Sequence, residues 1–233
     1  MLHLTAHFVI APGSANWWLG LVVLTFVFAT AHLAATRFSA LQQLRFRKFW
    51  GALLLLTFVA TQLYLIAQGR WHLADSLPLQ MCGMSNLLAI AALLWYWKPA
   101  FVPLLFWGIA GGIHSFLTPE ITLGDHPLII AEYFFSHASI MAAPWFLLRS
   151  GAFKLNTRSW LYALLWNNLA LLPIGLVNLL LNANYMYLCV KPLAENPFVM
   201  GDWPWYILGF EAAALVHYYL LHLAFRHYRT ANS

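Results

Sequence analysis

Charge is what this sequence has least of. Of its 233 residues, 8% are Asp, Glu, Lys or Arg, against about 25% in an ordinary globular chain. So few charges cannot clothe a soluble domain of this size, and the solvent around most of the chain must be lipid. Cysteine is scarce as well. Cys82 and Cys189 stand alone, with no CxxC and no Cys/His metal spacing, which excludes zinc modules and dithiol redox motifs. His217, His222 and His227 recur every five residues, a spacing that does not stack ligands on one helical face. No metal and no cofactor is expected. No lysine falls at mid-depth in an apolar run, which argues against a retinal Schiff base. The first 16 residues carry no Lys or Arg, so they lack the basic start of a cleavable signal peptide and read as a short tail. The net charge of +5 is spread over short gaps, with no basic-aromatic stripe that would suit a nucleic acid. No internal repeat suggests a transporter built from two halves.

What is present is apolar and aromatic. The chain is 62% hydrophobic and 17% aromatic, with 12 Trp. A spanning helix needs about 20 mostly apolar residues. Seven runs approach or meet that, at 17–36, 49–68, 80–97, 101–118, 127–148, 160–181 and 204–224. The fold expected is an all-α membrane protein, a single bundle of seven transmembrane helices. A tail over 1–16 precedes the bundle at 17–224, and a basic cytoplasmic tail over 225–233 follows it.

The gaps set the orientation. Arg37, Arg45, Arg47, Lys48, Lys98, Arg149, Lys154, Arg158, Arg226 and Arg229 fall on one side, ten of the 12 basic residues. Only Arg70 and Lys191 fall on the other. The positive-inside rule makes the first side cytoplasmic and puts the N-terminus outside. Asp75, Glu120, Asp125, Glu195 and Asp202 all lie in outer gaps. Trp17, Trp18, Trp71, Trp203 and Trp205 gather at outer span ends, where amphipathic rings anchor. Gly108 and Gly112, four apart, let a second helix approach the fourth span closely. Pro144 and Pro173 sit inside spans five and six, where they can kink a helix.

Ionisable groups inside a bilayer are expensive and normally face the bundle interior or water. Cys82, His114, Glu132, His137, Asn178, Asn182 and Glu211 all fall in the outer half at about 1.5 Å of rise per residue. Seven polar groups from five helices at one level suggest a single outward-opening cavity. Asn167 and Asn168 lie deeper and read as interhelical hydrogen-bonding groups. His217 and His222 read as interfacial.

Cys82 admits three readings. It is a plain buried thiol, half of a disulfide with Cys189 on the same side, or a nucleophile. A nucleophilic thiol needs a base, and His137 or His114 could serve, oriented by a carboxylate such as Glu132. Glu132 and His137 are five apart and do not stack well, so Glu132 could pair with His114 instead. Gly83 would leave backbone room beside the thiol for a bulky acyl group.

The ordered segments Leu77-Pro78-Leu79-Gln80-Met81-Cys82-Gly83, Leu117-Thr118-Pro119, Phe135-Ser136-His137, Asn184-Tyr185-Met186-Tyr187-Leu188 with Lys191-Pro192, and Trp203-Pro204-Trp205-Tyr206 resemble those of the YwaF-like bacterial integral membrane proteins. These are similar in turn to eukaryotic transmembrane protein 164. The resemblance spans about residues 15–225. It implies a polytopic lipid enzyme that moves a fatty acyl chain between phospholipids with a cysteine and a histidine. Carried over by motif, the cysteine is Cys82 and the histidine is His137. Tyr185 falls in the Asn-Tyr-Met-Tyr-Leu segment and joins the candidate substrate-binding groups. Cys189 is not expected in that segment.

The function expected is acyl transfer between phospholipid and lyso-lipid through a Cys82 thioester, with His137 as general base. His114, Asn178 and Asn182 would stabilise the oxyanion, and Glu132, Tyr185 and Glu211 would support the site. Membrane lipids would be both solvent and substrate, in a bacterial cytoplasmic membrane. The rival is a small-solute or proton-coupled transporter using Glu132, His137 and Glu211. It would need polar groups, or a moving gate, through the inner half.

Overall fold

A computed structural model describes residues 7–194 and 199–228. The start of the expected tail, Glu195, and Arg229 with the end of the basic tail lie outside the described residues. Each of the seven apolar runs becomes a helix: α1 (Ala15–Arg37), α2 (Ala40–Ala67), α3 (Met81–Trp95), α4 (Lys98–Leu117), α5 (Pro127–Arg149), α6 (Ser159–Leu181) and α7 (Trp205–Ala224). Two short strands, β1 (Phe8–Val9) and β2 (Glu120–Ile121), pair antiparallel. The segment read as a free tail is thus tied to the loop after α4.

Five helices, α1, α2, α4, α6 and α7, are long and apolar enough to cross a membrane. The other two differ for separate reasons. α3 has 15 residues, about 22 Å of rise, which is short for a span. α5 carries Glu132, His137 and two serines, Ser136 and Ser139, yet it is buried along most of its length. α1, α2, α3 and α4 all pack against it. A helix ringed by other helices need not be lipid-compatible on any face, so polar residues collect there.

Local signals fix the ends. Ser39 caps α2 in a box with Gln42, each side chain meeting the other's backbone N–H. The basic gap expected over 36–49 therefore shrinks to a two-residue turn. Arg45, Arg47 and Lys48 become helical, and Arg47 is buried, donating to the carbonyls of Ala92 and Leu93 at the end of α3 beneath the Tyr96 ring. A cation at a helix C-terminus meets its unpaired carbonyls and dipole. Asn182 closes α6 in the left-handed conformation at φ 51°, a role Asn fills readily. α4 is not uniform. It opens with a 3₁₀ turn and carries a π turn over Leu104–Gly108.

The glycines of α4 set its packing. A Cβ on Gly108 would stand 2.5 Å from the Ile140 carbonyl oxygen, and one on Gly112 would stand 2.2 Å from Met141 Cγ. The pair four apart thus brings α4 against α5, as the spacing predicts. α6 and α7 pair with each other at the side of α4.

Candidate functional site

A cavity of about 390 Å³ lies between the helices and the loops that precede α3, follow α4 and follow α6, within the size range of ligand pockets. Cys82, His114, Glu132, His137 and Glu211 all line it. They come from α3, α4, α5 and α7, so the structure brings these five expected residues together. Asn178, Asn182 and Tyr185 are not among its lining residues.

Those three act one layer out. Asn178 is buried, and its side chain accepts from the Tyr185 N–H at 2.8 Å and donates to the Tyr185 carbonyl at 2.9 Å. The Tyr185 hydroxyl in turn accepts from Leu77 N–H and donates to the Leu73 carbonyl. Burial pushes the Tyr185 phenol up to about 12, so it remains a donor. Gln80 joins the same loops, accepting from Met186 N–H at 2.8 Å. The Leu-Pro-Leu segment and the Asn-Tyr-Met-Tyr segment are therefore one hydrogen-bonded unit. It delivers the chain into α3, where Cys82 is the second residue.

Cys82 and Cys189 are both free thiols, Cys82 half-buried and Cys189 exposed. The disulfide alternative is thereby set aside. Gly83 does not open room beside the thiol, because a Cβ there would meet the Pro78 backbone at 3.0 Å. The glycine that faces the sulfur is Gly111 of α4, whose Cβ would lie 3.2 Å from Cys82 Sγ. Only a contact across helices produces that neighbour, and no sequence spacing points to it.

His137 is oriented by its own helix. Its Nδ1 lies 2.6 Å from the Tyr133 carbonyl oxygen, which can only accept. Nδ1 therefore carries the proton in the neutral ring, and Nε2 is the nitrogen able to take one. A backbone carbonyl four residues back fills the place expected of Glu132. The Tyr133 ring lies 4.1 Å from the imidazole, and its hydroxyl donates to the Ser115 carbonyl. Tyr133 and Tyr187 are both within electrostatic reach of Cys82.

The deep end is polar too. Glu211 accepts from Asn167 and Asn168 at 3.3 and 3.1 Å, which joins α6 to α7. His217 lines the cavity with its ring 5.0 Å from that of His114, rather than lying at the interface. His222 does stack near Trp160 and Tyr219. Beside this level Phe106 packs against the cavity-lining Tyr218, and the buried Trp107 donates its indole N–H to the Ala163 carbonyl.

At the mouth, Glu120 accepts from Ala194 N–H at 2.8 Å and from the Tyr187 hydroxyl, and it pairs with His7 at 2.6 Å. Burial alone would raise its carboxyl. The His7 contact and the backbone donors outweigh that and hold it below the ordinary carboxylate range. Among the described residues no group of three His, Cys, Asp or Glu side chains is placed to hold a metal ion.

The model of one protein family, the TMEM164 family, matches residues 5–222. The chain belongs to the TMEM164 family. No curated protein and no solved structure matches it. A match across nearly the whole bundle, with five long apolar helices, makes this TMEM164-family chain an integral membrane protein. Sequence reasoning missed Glu120, Tyr133, Tyr187, Gly111 and Asn86 as parts of this family member's cavity. Glu120 reads in the sequence only as an outer-gap acid and Tyr187 only as part of a motif, and nothing in the apolar runs sets Tyr133, Gly111 or Asn86 apart.

Proposed function

We propose that the protein is a membrane-embedded acyltransferase that moves a fatty acyl chain between phospholipid and lyso-lipid through a Cys82 thioester. One observation carries this reading. Cys82 and His137, from two helices, line one cavity, and the His137 Nδ1 is committed to a carbonyl so that Nε2 can take the thiol proton. The sulfur would attack the ester carbonyl as Nε2 takes its proton, and His137 would return that proton to the leaving lyso-lipid oxygen. A second lyso-lipid would take the acyl group by the reverse steps.

In this reading all seven helices cross the membrane, with the N-terminus outside and the C-terminus cytoplasmic. Residues 17–224 form the bundle, 1–16 and 225–233 are its tails, and the membrane is a bacterial cytoplasmic one. The ester boundary of the outer leaflet then lies near Cys82, at the start of α3.

Intact mass and peptide mapping of gently extracted protein test the proposal. An acyl adduct on Cys82 that hydroxylamine releases and Cys82→Ser abolishes is the expected result. Full incorporation of radiolabelled acyl chain into product by Cys82→Ser would overturn it.

A further inference from the structure

We propose that Asn86 is the side chain that holds the oxyanion formed when Cys82 is acylated. The inference rests on the acyl-transfer reading above. Asn86 follows Cys82 by four residues on α3, one turn along the same face. Helical side chains lean toward the N-terminus, so the Asn86 amide covers the turn that carries Cys82. It lines the cavity and is only 4% exposed; its Oδ1, which can only accept, is buried without a partner, and its Nδ2, the atom able to donate to an oxyanion, makes no hydrogen bond among the described residues. A buried amide left in that state normally has a partner to meet.

Its polar neighbours are committed elsewhere. Ser85 donates to the Met81 carbonyl, Gln80 is bonded to Met186, and Asn178 holds Tyr185. The end of α3 adds a second donor. Gln80 supplies no side-chain cap, and the first bond closing the helix runs from Met84 N–H to the Gln80 carbonyl. The N–H groups of Cys82 and Gly83 precede it and have no intrahelical acceptor, at the positive end of the helix dipole.

The step balances as follows. The Cys82 Sγ–H proton passes to His137 Nε2, and the sulfur forms a bond to the acyl carbon. The carbonyl π pair moves onto oxygen, where the Asn86 amide N–H and the Cys82 backbone N–H meet it. When the pair returns, the carbon–oxygen ester bond breaks, His137 protonates the leaving oxygen, and the thioester remains. Asn86 touches the reacting oxygen and is a catalytic residue in this scheme. Of the three groups the sequence suggested for the role, Asn178 is spent on Tyr185, Asn182 closes α6, and His114 lines the cavity with its ring 5.0 Å from that of His217.

Two reactions of the same thiol separate this role from a packing role. A p-nitrophenyl acyl ester acylates Cys82 through an oxyanion, whereas iodoacetamide alkylates it by direct displacement without one. In full-length protein reconstituted in lipid nanodiscs with Cys189→Ser, Asn86→Ala should slow the nitrophenolate burst by about 100- to 1000-fold. Its alkylation rate should stay within about twofold. The isosteric Asn86→Asp should show the same split and guards against a folding defect in the alanine variant. Equal loss of both rates in both variants, or an unchanged burst, overturns the assignment. A parent protein that is alkylated at Cys82 but never acylated overturns the acyl-transfer reading itself, and the inference with it.

Discussion

Tyr133 meets His137 twice. Its carbonyl oxygen lies 2.6 Å from Nδ1, and its ring lies 4.1 Å from the imidazole. One residue thus fixes both the tautomer and the tilt of the candidate base. His137→Gln removes the proton acceptor and should lower Cys82 acylation by about 100- to 10,000-fold in a burst assay. Tyr133→Phe keeps the ring and the carbonyl and loses the hydroxyl's bond to Ser115 and its contact with the Glu120 backbone. It should stay within about tenfold of the parent. A Tyr133→Phe loss as large as that of His137→Gln would mean that the phenol, rather than the imidazole, handles the proton.

Glu120 gives the mouth of the cavity a pH dependence of defined sign. Its carboxyl is held below the ordinary range in the folded protein, and unfolding returns it to that range. The folded state therefore binds fewer protons. The stabilisation is complete above the ordinary carboxylate range and is lost as pH falls through the lower folded value. Glu120→Gln should lower the melting temperature at neutral pH, and the gap from the parent should close as pH falls below the ordinary carboxylate range. Detergent-phase thermal unfolding across pH measures it. A gap that widens in acid would reverse the assignment.

Asn178→Ala should act through the loops alone. It leaves the N–H and the carbonyl of buried Tyr185 without their side-chain partner, at about 1–3 kcal/mol for each unsatisfied group. The melting temperature should fall, and the segment 73–80 should exchange its amide hydrogens faster. Loss of activity with unchanged stability and exchange would instead place Asn178 in direct contact with substrate.

Cys189 is exposed and Cys82 is half-enclosed. With the N-terminus outside, a membrane-impermeant maleimide should label Cys189 on intact cells or spheroplasts, and Cys189→Ser should abolish the signal. Labelling that appears only after the membrane is opened would invert the proposed orientation.

The helices were legible from sequence because lipid imposes long apolar runs. The expected 160–181 became Ser159–Leu181, and 80–97 became Met81–Trp95. Depth was legible by the same logic, and it gathered Cys82, His114, Glu132, His137 and Glu211 into one cavity. Direction around each helix was not. Each residue turns a helix by about 100°, and a helix apolar on all sides carries no stripe to mark its inner face. Asn178 therefore shared the right level with Cys82 but turned toward Tyr185. His217, assigned to the interface, turned inward. Asn86 was overlooked inside an apolar run.

Adjacent glycines of α4 look in two directions. Gly111 abuts the sulfur of Cys82 on α3, while Gly112 abuts α5 at Met141, with the His137 carbonyl oxygen 3.6 Å from where its Cβ would be. At this level α4 therefore has no room for a Cβ toward either the helix of the thiol or the helix of the imidazole. A single methyl on Gly111 would press on the sulfur itself, and one on Gly112 would meet Met141. On the acyl-transfer reading, substitutions in α4 would act on the site from a helix that carries neither reacting atom.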